Sequence, residues 1–211
     1  VRTAVVDTVI FDLGGVLARN GRPSDLVARF PDHDPETVVR LVMGPYGDDT
    51  DHPWHRLERG EITFAEYREA NAALLAEAGV QPSSSSAAAG IEFEPNEPVV
   101  ALVYELRAAG LRLGVLTNNV RELRPLWWGL LPFDELFDDV VDSHEVGVRK
   151  PDPAIYQLAL ERLGATARRT AFLDDIASNV AAADRLGMVG VLVEDDPLPA
   201  VATVRGLTGL G

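Results

Sequence analysis

The C-terminal half of the chain repeats one unit: a helix-periodic stretch, a glycine that stops it, and a short run of apolar residues. Pro98–Ala109 opens with proline in its first turn and stops at Gly110, before Leu111–Leu116. Pro153–Leu163 follows Asp152, a candidate cap, and stops at Gly164 before Thr170–Leu173. Ile176–Leu186 stops at Gly187 before Val189–Val193. Proline lacks the amide that a first helical turn leaves unpaired, and glycine accepts the backbone sense that ends a helix, so both mark real boundaries. The apolar runs are rich in Val, Leu and Ile and nearly continuous, as strands buried on both faces must be. Thr3–Phe11 and Asp139–Asp142 add two more. Strands alternating with helices predict right-handed crossovers and an α/β fold, a Rossmann-like parallel sheet of about five strands.

Between the first strand and Pro98 the pattern changes. Apolar positions recur at helical spacing in Leu26–Phe30, Thr37–Met43 and Thr63–Ala78, and Thr63-Phe64-Ala65-Glu66 reads as a capping box. No strong strand signal occurs there. Gln81–Gly90, with four consecutive serines, reads as a loop returning to the sheet. The simplest organisation is a catalytic core of residues 1–17 and 96–211 with a helical cap, residues 18–95, inserted after the first strand.

Charge and composition narrow the partners. Lys and Arg number 19 against 33 Asp and Glu, a formal charge of −14. That field opposes nucleic acid and anionic membranes, both of which need basic footprints. It also repels a small phosphate ester unless positive charge is concentrated locally. Cysteine is absent, which excludes disulfides and thiolate zinc sites. No apolar run approaches the ~20 residues that span a bilayer, and nothing at the N-terminus resembles a signal peptide. The expectation is a cytoplasmic protein, monomeric or homodimeric.

Four polar clusters end or follow the apolar runs: Asp12, then Thr117-Asn118-Asn119, then Arg149-Lys150-Pro151, then Asp174-Asp175. Parallel α/β sheets bind ligands outside the carboxyl ends of their strands, so the clusters are expected to meet in one pocket. A carboxylate at Asp12 can attack phosphorus, with Gly14-Gly15 letting the backbone turn close to a ligand. Alone it reads equally well as a turn-forming aspartate. Thr117 and Asn118 offer a hydroxyl and amide donors, and Lys150 can neutralise both the attacking carboxylate and the transferring group. Adjacent carboxylates at Asp174 and Asp175 repel unless a cation intervenes, and Mg²⁺ prefers a few carboxylates plus waters and phosphate oxygens. Asn179, one turn on, can orient metal-bound waters or Lys150.

The strings Phe11-Asp12-Leu13-Gly14-Gly15-Val16-Leu17, Leu116-Thr117-Asn118, Val148-Arg149-Lys150-Pro151-Asp152-Pro153 and Phe172-Leu173-Asp174-Asp175 resemble the four ordered motifs of the haloacid dehalogenase-like (HAD) hydrolase superfamily. The branch most similar contains the phosphatase domain of soluble epoxide hydrolase and bacterial sugar-phosphate phosphatases. Trp54–Ile62 resembles a cap stretch of that branch. The resemblance implies Mg²⁺ held by Asp12, the Gly14 carbonyl and Asp175, with Asp174 nearby. It implies Asp12 as nucleophile, Thr117 and Asn118 on the phosphoryl group, and Lys150 as the balancing charge. The implied reaction is Mg²⁺-dependent hydrolysis of a small phosphometabolite, a sugar phosphate among the candidates, through an aspartyl phosphate.

One position departs from the family pattern. Phosphatases of this superfamily usually carry a second aspartate two residues after the nucleophile, as acid and base; here it is Gly14. Losing general acid help costs typically ~10²–10⁴ in rate, most for poor leaving groups. A good leaving group, or a proton from His52, His55 or Glu58, would offset it. The competing readings are a metal-independent 2-haloacid dehalogenase and a catalytically silent binding module of the same fold. Tyr46, Trp54, Trp127 and Trp128 can line a pocket, although burial in a core is the commoner fate of such aromatics.

Overall fold

The computed structural model describes residues 6–45, 47–81 and 92–211. Tyr46, the first residues of the expected Thr3–Phe11 strand and nearly all of the expected loop Gln81–Gly90 lie outside them. Five strands form one parallel sheet: β1 (Thr8–Phe11), β2 (Arg112–Thr117), β3 (Asp139–Asp142), β4 (Thr170–Asp174) and β5 (Val189–Leu192), in the order β3-β2-β1-β4-β5. The continuous apolarity of the strands has a direct cause. Along β1, Val9 and Phe11 point into one core cluster and Ile10 into another. Along β4, Ala171 and Leu173 point to the first face and Phe172 to the second. Both faces are covered by helices, so alternate positions are equally apolar.

The first face packs under helices α5 (Glu97–Ala108) and α11 (Leu198–Thr208) together with the short helices α6 (Arg124–Trp128) and α7 (Phe133–Leu136). The second packs under α9 (Pro153–Leu163) and α10 (Ala177–Arg185). Trp127 is fully buried and packs edge-on against Phe133, with Trp128 stacked on Phe133 and Phe137 beyond it. Trp127 therefore belongs to the core, and Trp128 is partly buried and packed against it. α11 carried no clear signal in sequence: its Val, Thr and Gly content gives weak helix propensity. Burial of Ala200, Val201 and Val204 against the sheet holds it in place.

Between β1 and α5 the described residues hold four helices: α1 (Pro23–Val27), α2 (Pro35–Val42), α3 (Pro53–Glu58) and α4 (Phe64–Glu77). The capping box forms as expected, with the Thr63 hydroxyl accepting from the Glu66 amide and the Glu66 carboxylate accepting from the Thr63 amide. α3 was not expected, because six residues are too few to show a period; Pro53 at its start and the His52 side chain capping Trp54 N–H set it. The segment leaves and returns side by side: Arg19 N–H donates to Glu94 O at 2.8 Å and Asn96 N–H to Leu17 O at 2.8 Å. Among the described residues no helix is long and apolar enough to cross a membrane.

Candidate active site

Strand register gathers the four clusters at one edge. Phe11 pairs with Val115 and Leu173, and Thr117 with Asp142, so β1, β2 and β4 run out together at their carboxyl ends. The amide of Asp12 donates to Leu173 O at 2.8 Å, extending the β1–β4 ladder one residue past the strand. Gly15 then takes a φ of +71°, and a Cβ there would lie 2.6 Å from Asp175 Oδ2 and 2.9 Å from Arg22 Nε. Only glycine satisfies both the backbone sense and that approach.

Lys150 lies at the centre, 1% exposed in its side chain, with Nζ 2.8 Å from Asp12 Oδ1 and 2.6 Å from Asp174 Oδ2. It sits in a turn, joined to Pro151 by a cis peptide. Asn118 fixes its backbone from both sides: Asn118 Nδ2 donates to Lys150 O at 2.9 Å and Asn118 Oδ1 accepts from Lys150 N–H at 2.7 Å. The Asn118 side chain is thus committed to Lys150, and its backbone amide is the part left to meet a ligand. Thr117 is buried beside it, and its hydroxyl makes no hydrogen bond among the described residues. Asn119 turns toward β3, donating its amide to Ser143 Oγ at 3.0 Å.

Asp174 and Asp175 divide. Asp174 Oδ1 accepts from Ile176 N–H at 2.8 Å, Asn179 Nδ2 reaches its two oxygens at 3.1 and 3.2 Å, and Lys150 takes Oδ2. Asn179 therefore orients Asp174 and makes no hydrogen bond to Lys150 among the described residues; Tyr156 braces it by donating to Asn179 O at 3.0 Å. Asp175 faces Arg22, whose Nε stands 3.9 Å from Asp175 Oδ2. Arg22 also donates to the carbonyls of Gly15 at 2.9 Å and Glu194 at 3.0 Å. Nothing in the sequence marked Arg22.

Each of Asp12, Asp174 and Asp175 offers a carboxylate oxygen within 4.8 Å of the others. Burial, and then Asp174, push the Asp12 carboxyl up to about 7 although Lys150 opposes them. Burial, Asp12 and Asp174 push Asp175 up to about 8. Burial works to lower Lys150, but Asp12 and Asp174 outweigh it and hold the ammonium above its ordinary value. Negative charge is in excess, the donors are hard oxygens, and the set fits Mg²⁺. A testable consequence follows from the signs. Raised carboxyl pKa values mean the folded state holds protons more tightly than the unfolded one, so that stability is present in acid and is lost as pH rises from about 4 through 7 to 8. A bound cation requires the ionised forms. The rise in Tm on adding Mg²⁺ should therefore be small near pH ~5.5, large near pH ~8.5, and reversed by EDTA. Equal gains at both pH values in thermal melts would argue against a cation at these carboxylates.

The three proton-donor candidates of the inserted segment are otherwise engaged. His52 caps α3 and reaches Leu41 O at 3.3 Å. His55 is buried, its Nδ1 is 3.0 Å from both the amide and the hydroxyl of Thr50, and burial followed by Arg149 lowers it to about 3. Glu58 accepts from Trp54 Nε1 at 2.8 Å and from Arg149 Nε at 2.7 Å. Trp54 is half-buried and packs edge-on against Tyr67. At Gly14 a Cβ would meet the Gly21 carbonyl oxygen at 3.0 Å, so the backbone of the inserted segment closely approaches this position.

A haloacid dehalogenase-like hydrolase family model matches residues 6–187. The chain is 36% identical to acyl-CoA dehydrogenase family member 10 of Mus musculus over 95% of its own length, but spans 19% of that protein. It is 29% identical to a sesquiterpene phosphatase of Aspergillus oryzae, covering 95% of both chains. It is 28% identical to bifunctional epoxide hydrolase 2 of Rattus norvegicus, over 88% of this chain and 36% of the relative. Among solved structures, one described as a predicted HAD-like family hydrolase from Porphyromonas gingivalis superposes with a TM-score of 0.69 at 25% identity, covering 95% of this chain and 98% of that one. On a family match of this extent, the chain belongs to the haloacid dehalogenase-like hydrolases.

Proposed function

We propose that the protein is a Mg²⁺-dependent phosphomonoester hydrolase acting on a small phosphorylated metabolite, with residues 18–95 as a cap over the site. The observation that carries this reading is the buried Lys150 ammonium bridging Asp12 and Asp174 while Asp175 stands within reach of the same point. The phosphatase among the relatives supports it. Asp12, the Gly14 carbonyl and Asp175 would hold the cation, with Asp174 behind them. Bound there, the ion would neutralise charge on the phosphoryl oxygens. Asp12 attacks phosphorus, the bond to the leaving oxygen breaks, and an aspartyl phosphate forms. Thr117, the Asn118 amide and Lys150 bind the phosphoryl oxygens. Water then attacks phosphorus, freeing phosphate and restoring the Asp12 carboxylate.

A hydrolytic dehalogenase also needs an attacking aspartate but no cation, and the excess of buried carboxylate disfavours it. A silent binding module is the reading suggested by Gly14. Magnesium-dependent release of phosphate from 4-nitrophenyl phosphate separates the phosphatase from the other two, and its absence at any metal concentration would remove the phosphatase. With no aspartate at position 14, activity should favour good leaving groups. Gly14→Asp should therefore raise turnover of alkyl phosphates more than of aryl phosphates. It should also cost stability, because the new Cβ presses on Gly21 O; Gly14→Ala isolates that cost. Equal effects on both substrate classes would remove the leaving-group argument.

A further inference from the structure

Glu58 belongs to a buried ion pair that joins distant parts of the chain. The side chains of Arg149 and Glu58 are 0% and 1% exposed, and Arg149 Nε lies 2.7 Å from Glu58 Oε2. Arg149 Nη1 donates to Asp48 O at 3.0 Å and lies 3.6 Å from Asp49 Oδ1. Nη2 is buried with no partner. The second Glu58 oxygen is held by Trp54. Among the described residues the hydrogen-bond and ion-pair partners of the Arg149 side chain lie in residues 48–58, while Arg149 itself immediately precedes Lys150. Residues flanking that segment lean on the sheet domain at two other points. A Cβ on Gly60 would lie 2.5 Å from His144 O, and one on Gly47 3.9 Å from Ser178 Cβ.

This geometry has an energetic consequence. Separating a buried pair leaves an uncompensated charge in a low-dielectric interior, which is far costlier than replacing both partners with apolar groups. Segment 48–58 therefore cannot shift against the Lys150 turn within the packed interior without leaving Arg149 or Glu58 buried and unpaired. Lys150 is thus held from two directions: Asn118 clamps its backbone on the sheet side, and Arg149 anchors the preceding residue to the inserted segment. We infer that Arg149 is a positioning residue, paired with Glu58, that sets where the Lys150 ammonium stands relative to Asp12 by locking residues 48–58 onto the turn. This rests on the phosphatase reading for its kinetic consequence, but not for its structural one.

The test compares Arg149→Met and Glu58→Gln with the double variant Arg149→Met/Glu58→Met. The single variants should lower Tm, and the apolar pair should recover much of the loss, since it buries no orphan charge. With 4-nitrophenyl phosphate and saturating Mg²⁺, the double variant should nevertheless lose about tenfold to 10²-fold in kcat, with a smaller change in KM, the scale expected for a misplaced catalytic group. A stable double variant with wild-type kcat would overturn the inference, because a purely structural pair predicts that result. Hydrogen exchange of the metal-free proteins supplies the second readout. Peptides covering 48–58 and the Lys150 amide should exchange faster in the double variant while those of β1 and β4 do not. Unchanged exchange at Lys150 would overturn the inference even if wild-type protein showed no phosphatase activity, a result that would sink the functional reading alone.

Discussion

Asp12→Asn should abolish magnesium-dependent phosphate release while leaving the fold intact. Asparagine keeps the shape and the backbone bond to Leu173 O, but an amide cannot form the acyl phosphate. The loss should reach about 10⁴-fold or more in kcat, the scale seen when a covalent nucleophile is removed. Stability should move the other way. Burial and Asp174 already push the Asp12 carboxyl up to about 7, so ionised Asp12 is disfavoured in the metal-free protein at pH ~8, and the neutral amide relieves that. The metal-free variant should melt no lower than wild type at that pH, and its Tm should rise less on adding Mg²⁺. A variant that is well folded and retains more than about a tenth of wild-type activity would exclude Asp12 as nucleophile.

Lys150→Met should be the most damaging single change at the site. The ammonium is 2.8 Å from Asp12 and 2.6 Å from Asp174, and its removal leaves two buried carboxylates facing each other. Removing one partner of a buried ion pair costs about 3–5 kcal/mol. The sign of its pH dependence is diagnostic. Without the lysine the Asp12 carboxyl is pushed further up, so the variant recovers stability as it protonates in acid and loses it as pH rises. The gap to wild type should therefore widen between pH ~5 and ~8 in urea unfolding of the metal-free proteins. A gap that is constant with pH would show that Lys150 is not what balances these carboxylates. Activity should be lost at every pH. Lys150→Arg should not restore it, because a planar guanidinium cannot take the place of a compact ammonium between two carboxylates.

Much of the fold was legible because its causes are local or periodic. Pro153 inside α9 and Gly164 just past it bounded that helix, and the Asp139–Asp142 strand was placed to the residue. Apolar continuity along β1 and β4 reported burial on both faces. α3 and α11 were not legible, one too short to show a period and the other stabilised by packing against its own propensity. At the site, residue types and their order at strand ends indicated the meeting of Asp12, Lys150 and Asp174. Their division of labour was not indicated. Asn118 suited a phosphate on chemical grounds, yet its side chain holds Lys150; Asn179 holds Asp174; Glu58, a candidate acid, holds Arg149.

What the amino-acid sequence determined by itself was the layered α/β architecture and the set of groups delivered to one sheet edge, since strand periodicity and helix stops act over a few residues. Which oxygen meets which donor was decided only by the tertiary structure. Arg149 and Glu58 stand 91 positions apart, and no local rule brings such side chains together. Their pairing is selected because a charge enclosed by the packed layers must find an opposite charge or remain in water.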